Sequence, residues 1–179
     1  NASIEAIAFS PDGSLVAAVG FDTTVRIFEV ATGRKVASLK CPSGDLRAIA
    51  FSPDGQRLAA GGRAGQLFVW EKASPQWKSI SQAAIHQQRI QGIHFIQADQ
   101  IVSISEDRTI YRTDLGSATG SELVATMPGK LYSLVVLSPT LIACGGSHNR
   151  IHLIDIQRKK TIGYLEGHQG TISSLAYAD

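Results

Sequence analysis

The sequence predicts an all-β protein assembled from copies of one four-stranded antiparallel unit. The apolar runs are too short for helices, and they are rich in β-branched and aromatic residues. The stretch Leu46–Glu71, LRAIAFSPDGQRLAAGGRAGQLFVWE, sets out three such runs with two turns between them. The pattern then repeats along the chain. The apolar residue that opens the first run falls at Ile4, Leu46, Ile90, Leu131 and Ile172, at intervals of 42, 44, 41 and 41 residues.

In the first unit, residues 4–39, the strands are IEAIAF, LVAAVG, TVRIFE and KVASL. Ser-Pro-Asp-Gly joins the first two strands of this unit and of the next. Pro presets φ for a turn and cannot donate to a ladder, and Gly accepts the positive φ of a tight turn. The second unit, residues 46–81, has a longer last connection through Ala73-Ser74-Pro75-Gln76. In the third, residues 90–126, Gln97-Ala98-Asp99-Gln100 replaces the Ser-Pro-Asp-Gly chemistry, and the last connection, Leu115–Ser121, is rich in Gly, Ser and Thr. The fourth spans residues 131–165. Residues 172–177, ISSLAY, read as the first strand of a fifth unit.

Several landmarks ride on this period: Gly167-His168 before a first strand, Ser52-Pro53-Asp54-Gly55 after one, and Trp70-Glu71 closing a third strand. With a beat of about 40–45 residues and four strands per copy, the chain resembles the WD-repeat (WD40-type) β-propeller family over its whole length. The resemblance implies radial four-stranded blades, four of them here plus the first strand of a fifth. About seven blades are usual in that family. A partial ring leaves the faces of its end sheets in water, which single chains rarely tolerate. Residues 1–179 are therefore expected to be part of a larger propeller, completed by further sequence or by another chain. A closed four-blade ring is the alternative.

The chain has 179 residues and is 44% apolar, enough to bury a core. A net charge of +2 gives no special attraction to nucleic acid or anionic lipid. Cys41 and Cys144 are too few for a disulfide framework, and Cys144, inside an apolar run, reads as a buried thiol. No run approaches the ~20 apolar residues of a membrane helix, and none reads as a signal peptide. The expected setting is cytoplasmic.

The resemblance also implies a structural hydrogen-bond tetrad of His, Ser or Thr, Asp and Trp. The third unit offers His86, Ser103 and Asp107, with Thr113 in the Trp position. The first keeps Asp22 and has Phe28 in place of Trp. The second keeps Trp70 but has Pro42, Ala60 and Ala64; the fourth has Met127, Cys144, His148 and Ile154. His168 stands at the His position before the fifth. His86, Ser103 and Asp107 also match the residue types of a hydrolytic triad. Ser103 has no Gly-x-Ser-x-Gly elbow, and the tetrad accounts for all three residues.

His148 and His152 lie four apart, which on one strand separates them by ~13 Å, too far to share an ion. No Cys/His cluster has metal-ligand spacing. Gly61-Gly62-Arg63-Ala64-Gly65 lacks the Lys-Ser/Thr of a phosphate loop and reads as a turn. Arg158-Lys159-Lys160 reads as a solvated loop. No metal, cofactor or catalytic residue is expected.

In the family, partners dock most often on the loop end near the axis. Two positions per unit project there by analogy: Glu5, Arg47, Gln91, Tyr132 and Ser173, and then Phe21, Arg63, Glu106 and Ser147. Phe21, Arg47, Arg63, Gln91, Glu106, Tyr132 and His148 are the candidate partner-binding residues. Arg47 and Arg63 could clamp a carboxylate or phosphate, and Tyr132 adds aromatic surface. The expected function is a non-catalytic scaffold for a protein or peptide. The alternative is a regulatory sensor propeller attached to an effector enzyme domain in a longer chain.

Overall fold

A computed structural model describes residues 3–42, 44–74, 76–117 and 120–177. It contains four antiparallel four-stranded sheets and, among the described residues, no helix. The first sheet is β1 (Ile4–Phe9), β2 (Leu15–Gly20), β3 (Thr24–Glu29) and β4 (Lys35–Lys40). The second is β5 (Leu46–Phe51), β6 (Arg57–Gly62), β7 (Gln66–Ala73) and β8 (Gln76–Ala84). The third is β9 (Ile90–Gln97), β10 (Gln100–Ser105), β11 (Thr109–Asp114) and β12 (Ser121–Thr126). The fourth is β13 (Leu131–Ser138), β14 (Leu141–Gly146), β15 (Ile151–Asp155) and β16 (Lys160–Leu165). Each sheet is a meander in chain order. The opening strands are neighbours in the order β1, β5, β9, β13, so the sheets fan out from one side.

Three apolar layers fill the gaps between successive sheets. Val25, Ile27, Leu46 and Trp70 belong to the first layer. Leu67, Val69, Ile90 and Ile101 belong to the second, and Ile110, Leu131, Ile142 and Ile154 to the third. Strand residues alternate sides, so each inner sheet feeds two layers at once. Leu58 and Ala60 point to one side of β6, and Ala59 to the other.

The outer face of the first sheet has no such cover: Ile7 is 59% exposed and Phe9 58%.

The Ser-Pro-Asp-Gly turns are closed by their own side chains. Ser52 Oγ donates to Asp54 Oδ1 at 2.5 Å and accepts from the Arg57 amide at 2.8 Å. Asp54 in turn accepts from the Gln56 amide at 3.0 Å. Ser10 and Asp12 repeat the arrangement in the first sheet, and the hydrogen bond from Ser10 helps hold the Asp12 carboxyl down at about 2. Where those residues are missing, the link shrinks to a two-residue hairpin at Ala98-Asp99 and again at Pro139-Thr140.

Two details depart from the sequence expectation. The extra residues of the second unit lengthen β7 and β8 rather than their connection, which is only residues 74 and 75; residue 75 is outside the described set. Residues 118 and 119 of the Leu115–Ser121 connection also lie outside it. Residues 172–177 form no strand. Ile172 is buried over Gly145, its amide donates to Gly146 at 2.9 Å, and the Leu175 amide donates to Ser133 Oγ at 2.7 Å. The segment lies against the fourth sheet, but among the described residues no second strand follows to build a ladder with it.

Candidate functional site

Each sheet ties the turn between its second and third strands to the residue before its first strand by one backbone hydrogen bond. The amides of Phe21, Arg63, Glu106 and Ser147 donate to the carbonyls of Ser3, Asp45, Arg89 and Lys130, at 3.3, 2.8, 3.0 and 2.9 Å. The approach is so close that a Cβ on Gly62 would stand 1.8 Å from the Asp45 carbonyl oxygen. Gly20 and Gly146 sit similarly close to the carbonyls of Ser3 and Lys130, while the third sheet makes the same link with Ser105 in that position. This link brings the two series of candidate loop positions onto one end of the fan.

At that end the charged side chains pair with one another across the sheets. Arg47 forms an ion pair with Glu5 on β1, and its Nε donates to Gln91 Oε1 on β9 at 3.1 Å. Gln91 Nε2 donates to Glu106 Oε1 at 2.7 Å, and Lys130 Nζ donates to Glu106 Oε2 at 2.9 Å. Arg89 stands 3.8 Å from the same carboxylate. The hydrogen bond from Lys130 holds the Glu106 carboxyl below its ordinary value. The result is a polar belt running from the first sheet to the edge of the fourth.

The belt engages one of the two arginines expected to form a clamp. Arg47 is engaged by Glu5 and Gln91, while Arg63 stands 3.7 Å from Asp45 with its side chain 70% exposed. Phe21 remains 44% exposed. Tyr132 is half-buried and lines a shallow groove with Arg47, Gln91 and His94. Sequence reasoning named most members of the belt without pairing them. The signal was available, because residues one repeat apart sit side by side in adjacent blades: Arg47 is 42 residues from Glu5 and 44 from Gln91.

The third sheet brings His86, Ser103 and Asp107 together. His86 Nε2 is 2.8 Å from Ser103 Oγ; its Nδ1 is 2.8 Å from Thr109 Oγ1 and 3.3 Å from Asp107 Oδ2. Thr109 Oγ1 donates to Asp107, so it accepts the Nδ1 proton. Ser103 then donates to Nε2, and every group is satisfied by a neutral imidazole. Burial pushes the His86 pKa down, against the pull of Asp107. Burial alone would raise the Asp107 carboxyl, but hydrogen bonds from Thr109 and the Gln87 amide hold it below its ordinary value. Ser103 is fully buried on β10, leaving a substrate carbonyl no approach. Thr109, which sequence reasoning missed, does part of the linking. Thr113 takes no part; its hydroxyl pairs with Ser121 at 2.8 Å.

The other tetrad positions stay apart. Asp22 pairs with Arg26 at 2.5 Å. Trp70 is buried and stacks on Phe68, with ring centroids 6.0 Å apart. His168 is exposed and lines a cleft with Asn149, Arg150 and Glu166. Lys159 of the basic run pairs with Glu122 at 2.7 Å.

His148 and His152 overturn the spacing argument. They are not on one strand: His148 sits in the turn before β15 and His152 on β15. The turn curls His148 back, so the ring centroids are 5.7 Å apart.

Comparison with known proteins adds two findings. Residues 1–29 and 33–71 match the family model "WD domain, G-beta repeat". The chain is also 28% identical over 178 residues to "WD repeat-containing protein VIP3" of Arabidopsis thaliana, an alignment covering 98% of this chain and 46% of the relative. The chain thus spans less than half the length of the curated relative it matches.

Proposed function

We propose that this chain, which belongs to the WD-repeat family, is a non-catalytic docking module that holds a protein or peptide on the loop end of its blades. WD repeats are interaction scaffolds in general, and the four stacked antiparallel sheets are blades of that kind. The observation that carries the reading is the belt. It fixes the loop end across sheets while leaving Phe21, Arg63 and Tyr132 available on it. Rigid loops on a scaffold are where recognition concentrates, and aromatic and Arg residues are the usual anchors.

The four sheets are read as an arc of a larger propeller. The bare Ile7 and Phe9 face is suited to a further blade, supplied by the same chain or by another. Buried Ser103 supports the non-catalytic part of the reading.

Peptides selected from a random display library on the wild-type chain test the proposal. They should bind the triple variant Phe21→Ala, Arg63→Ala, Tyr132→Ala at least about tenfold more weakly, as the loss of hot-spot residues implies. The melting temperature should not change, because all three residues contact water. Undiminished binding by the variant would remove this end of the blades from consideration.

A further inference from the structure

We propose that His148 and His152 form a binding site for a divalent transition ion of the zinc or copper class. Two imidazoles would hold the ion, and its remaining positions would be open. The rings stand 5.7 Å apart and are inclined by 54°, close enough for one ion to lie between them. His152 is only 5% exposed, yet neither of its nitrogens has a hydrogen-bond partner. His148 Nδ1 is likewise buried and unpaired. Leaving such groups unmet is unfavourable. His86, one sheet away, has both of its ring nitrogens satisfied.

The chemistry selects the ion. Neutral imidazole suits zinc, copper and nickel, whereas magnesium and calcium require oxygen donors. Arg150 is balanced by Glu166 at 2.9 Å and lies over the Tyr164 ring. Tyr164 presents its ring to His152 edge to face. Cys144 is opposite His152 on β14. Among the described residues no three His, Cys, Asp or Glu side chains converge on an ion. The protein therefore supplies two ligands and leaves the others to water or to a docked guest.

Zinc chloride titrated into the full 179-residue chain near neutral pH tests the assignment. Calorimetry should show saturable binding of one ion per chain. The ring resonances of His148 and His152 should move while those of His86 stay in place, and magnesium should be silent. His148→Ala and His152→Asn should each weaken binding by at least about tenfold, as expected for a lost ligand. His168→Ala, in the adjacent cleft, should leave it unchanged. The absence of saturable binding, unmoved His148 and His152 resonances in the wild type, or binding retained by His148→Ala would each overturn the proposal. So would binding abolished by His168→Ala, which would place the ion in the cleft instead. The spectra of the wild-type chain keep the test decisive even if His152→Asn folds poorly.

Discussion

His86 Nε2 lies 2.8 Å from Ser103 Oγ, and because Thr109 donates to Asp107 and takes the Nδ1 proton, the hydroxyl is the donor. The order of protons along the chain from Ser103 through His86 and Thr109 to Asp107 follows from that direction. Removing the hydroxyl strands an acceptor on a buried ring. Ser103→Ala should therefore cost about 1–3 kcal/mol, seen as a lower urea midpoint with an unchanged slope.

Acid should weaken the fold before any carboxylate titrates. His86 and His152 both have pKa values lowered by burial. The unfolded chain takes protons at these residues near pH 6.5, and the folded chain does not. Stability from both is fully present above that pH and is lost as pH falls through the folded values. Asp107, also depressed, holds its contribution down to the carboxylate range and loses it below. Urea midpoints should be lower at about pH 5.5 than at about pH 7.5; equal midpoints would contradict the assignment of buried, neutral rings.

Gly65 should tolerate no side chain. Its φ is +68°, and a Cβ there would stand 2.0 Å from the His86 carbonyl oxygen. Gly33 has the same φ with nothing nearby. Gly33→Ala should cost about 1–2 kcal/mol from backbone strain alone, and Gly65→Ala clearly more, because the backbone leading into His86 must shift. Thermal melts of the two variants side by side separate strain from collision.

Both thiols should be inert in the folded chain. Cys41 and Cys144 are buried, and burial pushes each thiol up to about 12. Reaction needs the thiolate. A thiol reagent should label both residues only at the rate of unfolding, and fast labelling without denaturant would contradict the packing.

The strands were legible because each burial pattern is local. LRAIAF and RLAAGG coincide with β5 and β6 to the residue. The Ser-Pro-Asp-Gly turns were legible because their hydrogen bonds join neighbours in sequence. What escaped depends on how the chain turns or on which strands meet. The distance between His148 and His152 hinges on the path of a turn, which spacing along a strand misjudges. Arg47 looked available because its partners, Glu5 and Gln91, belong to other sheets. Residues 172–177 carry a strand's sequence, but a strand exists only when something pairs with it.

The belt makes the loop end a shared instrument rather than a row of separate contacts. A guest that recruits the Arg47 guanidinium has to prise it from Glu5 on one side and Gln91 on the other. On the proposed docking reading, grip on one blade would be felt at the seams of both neighbours, and dissolved salt, by loosening those seams, would tune how readily a guest is admitted.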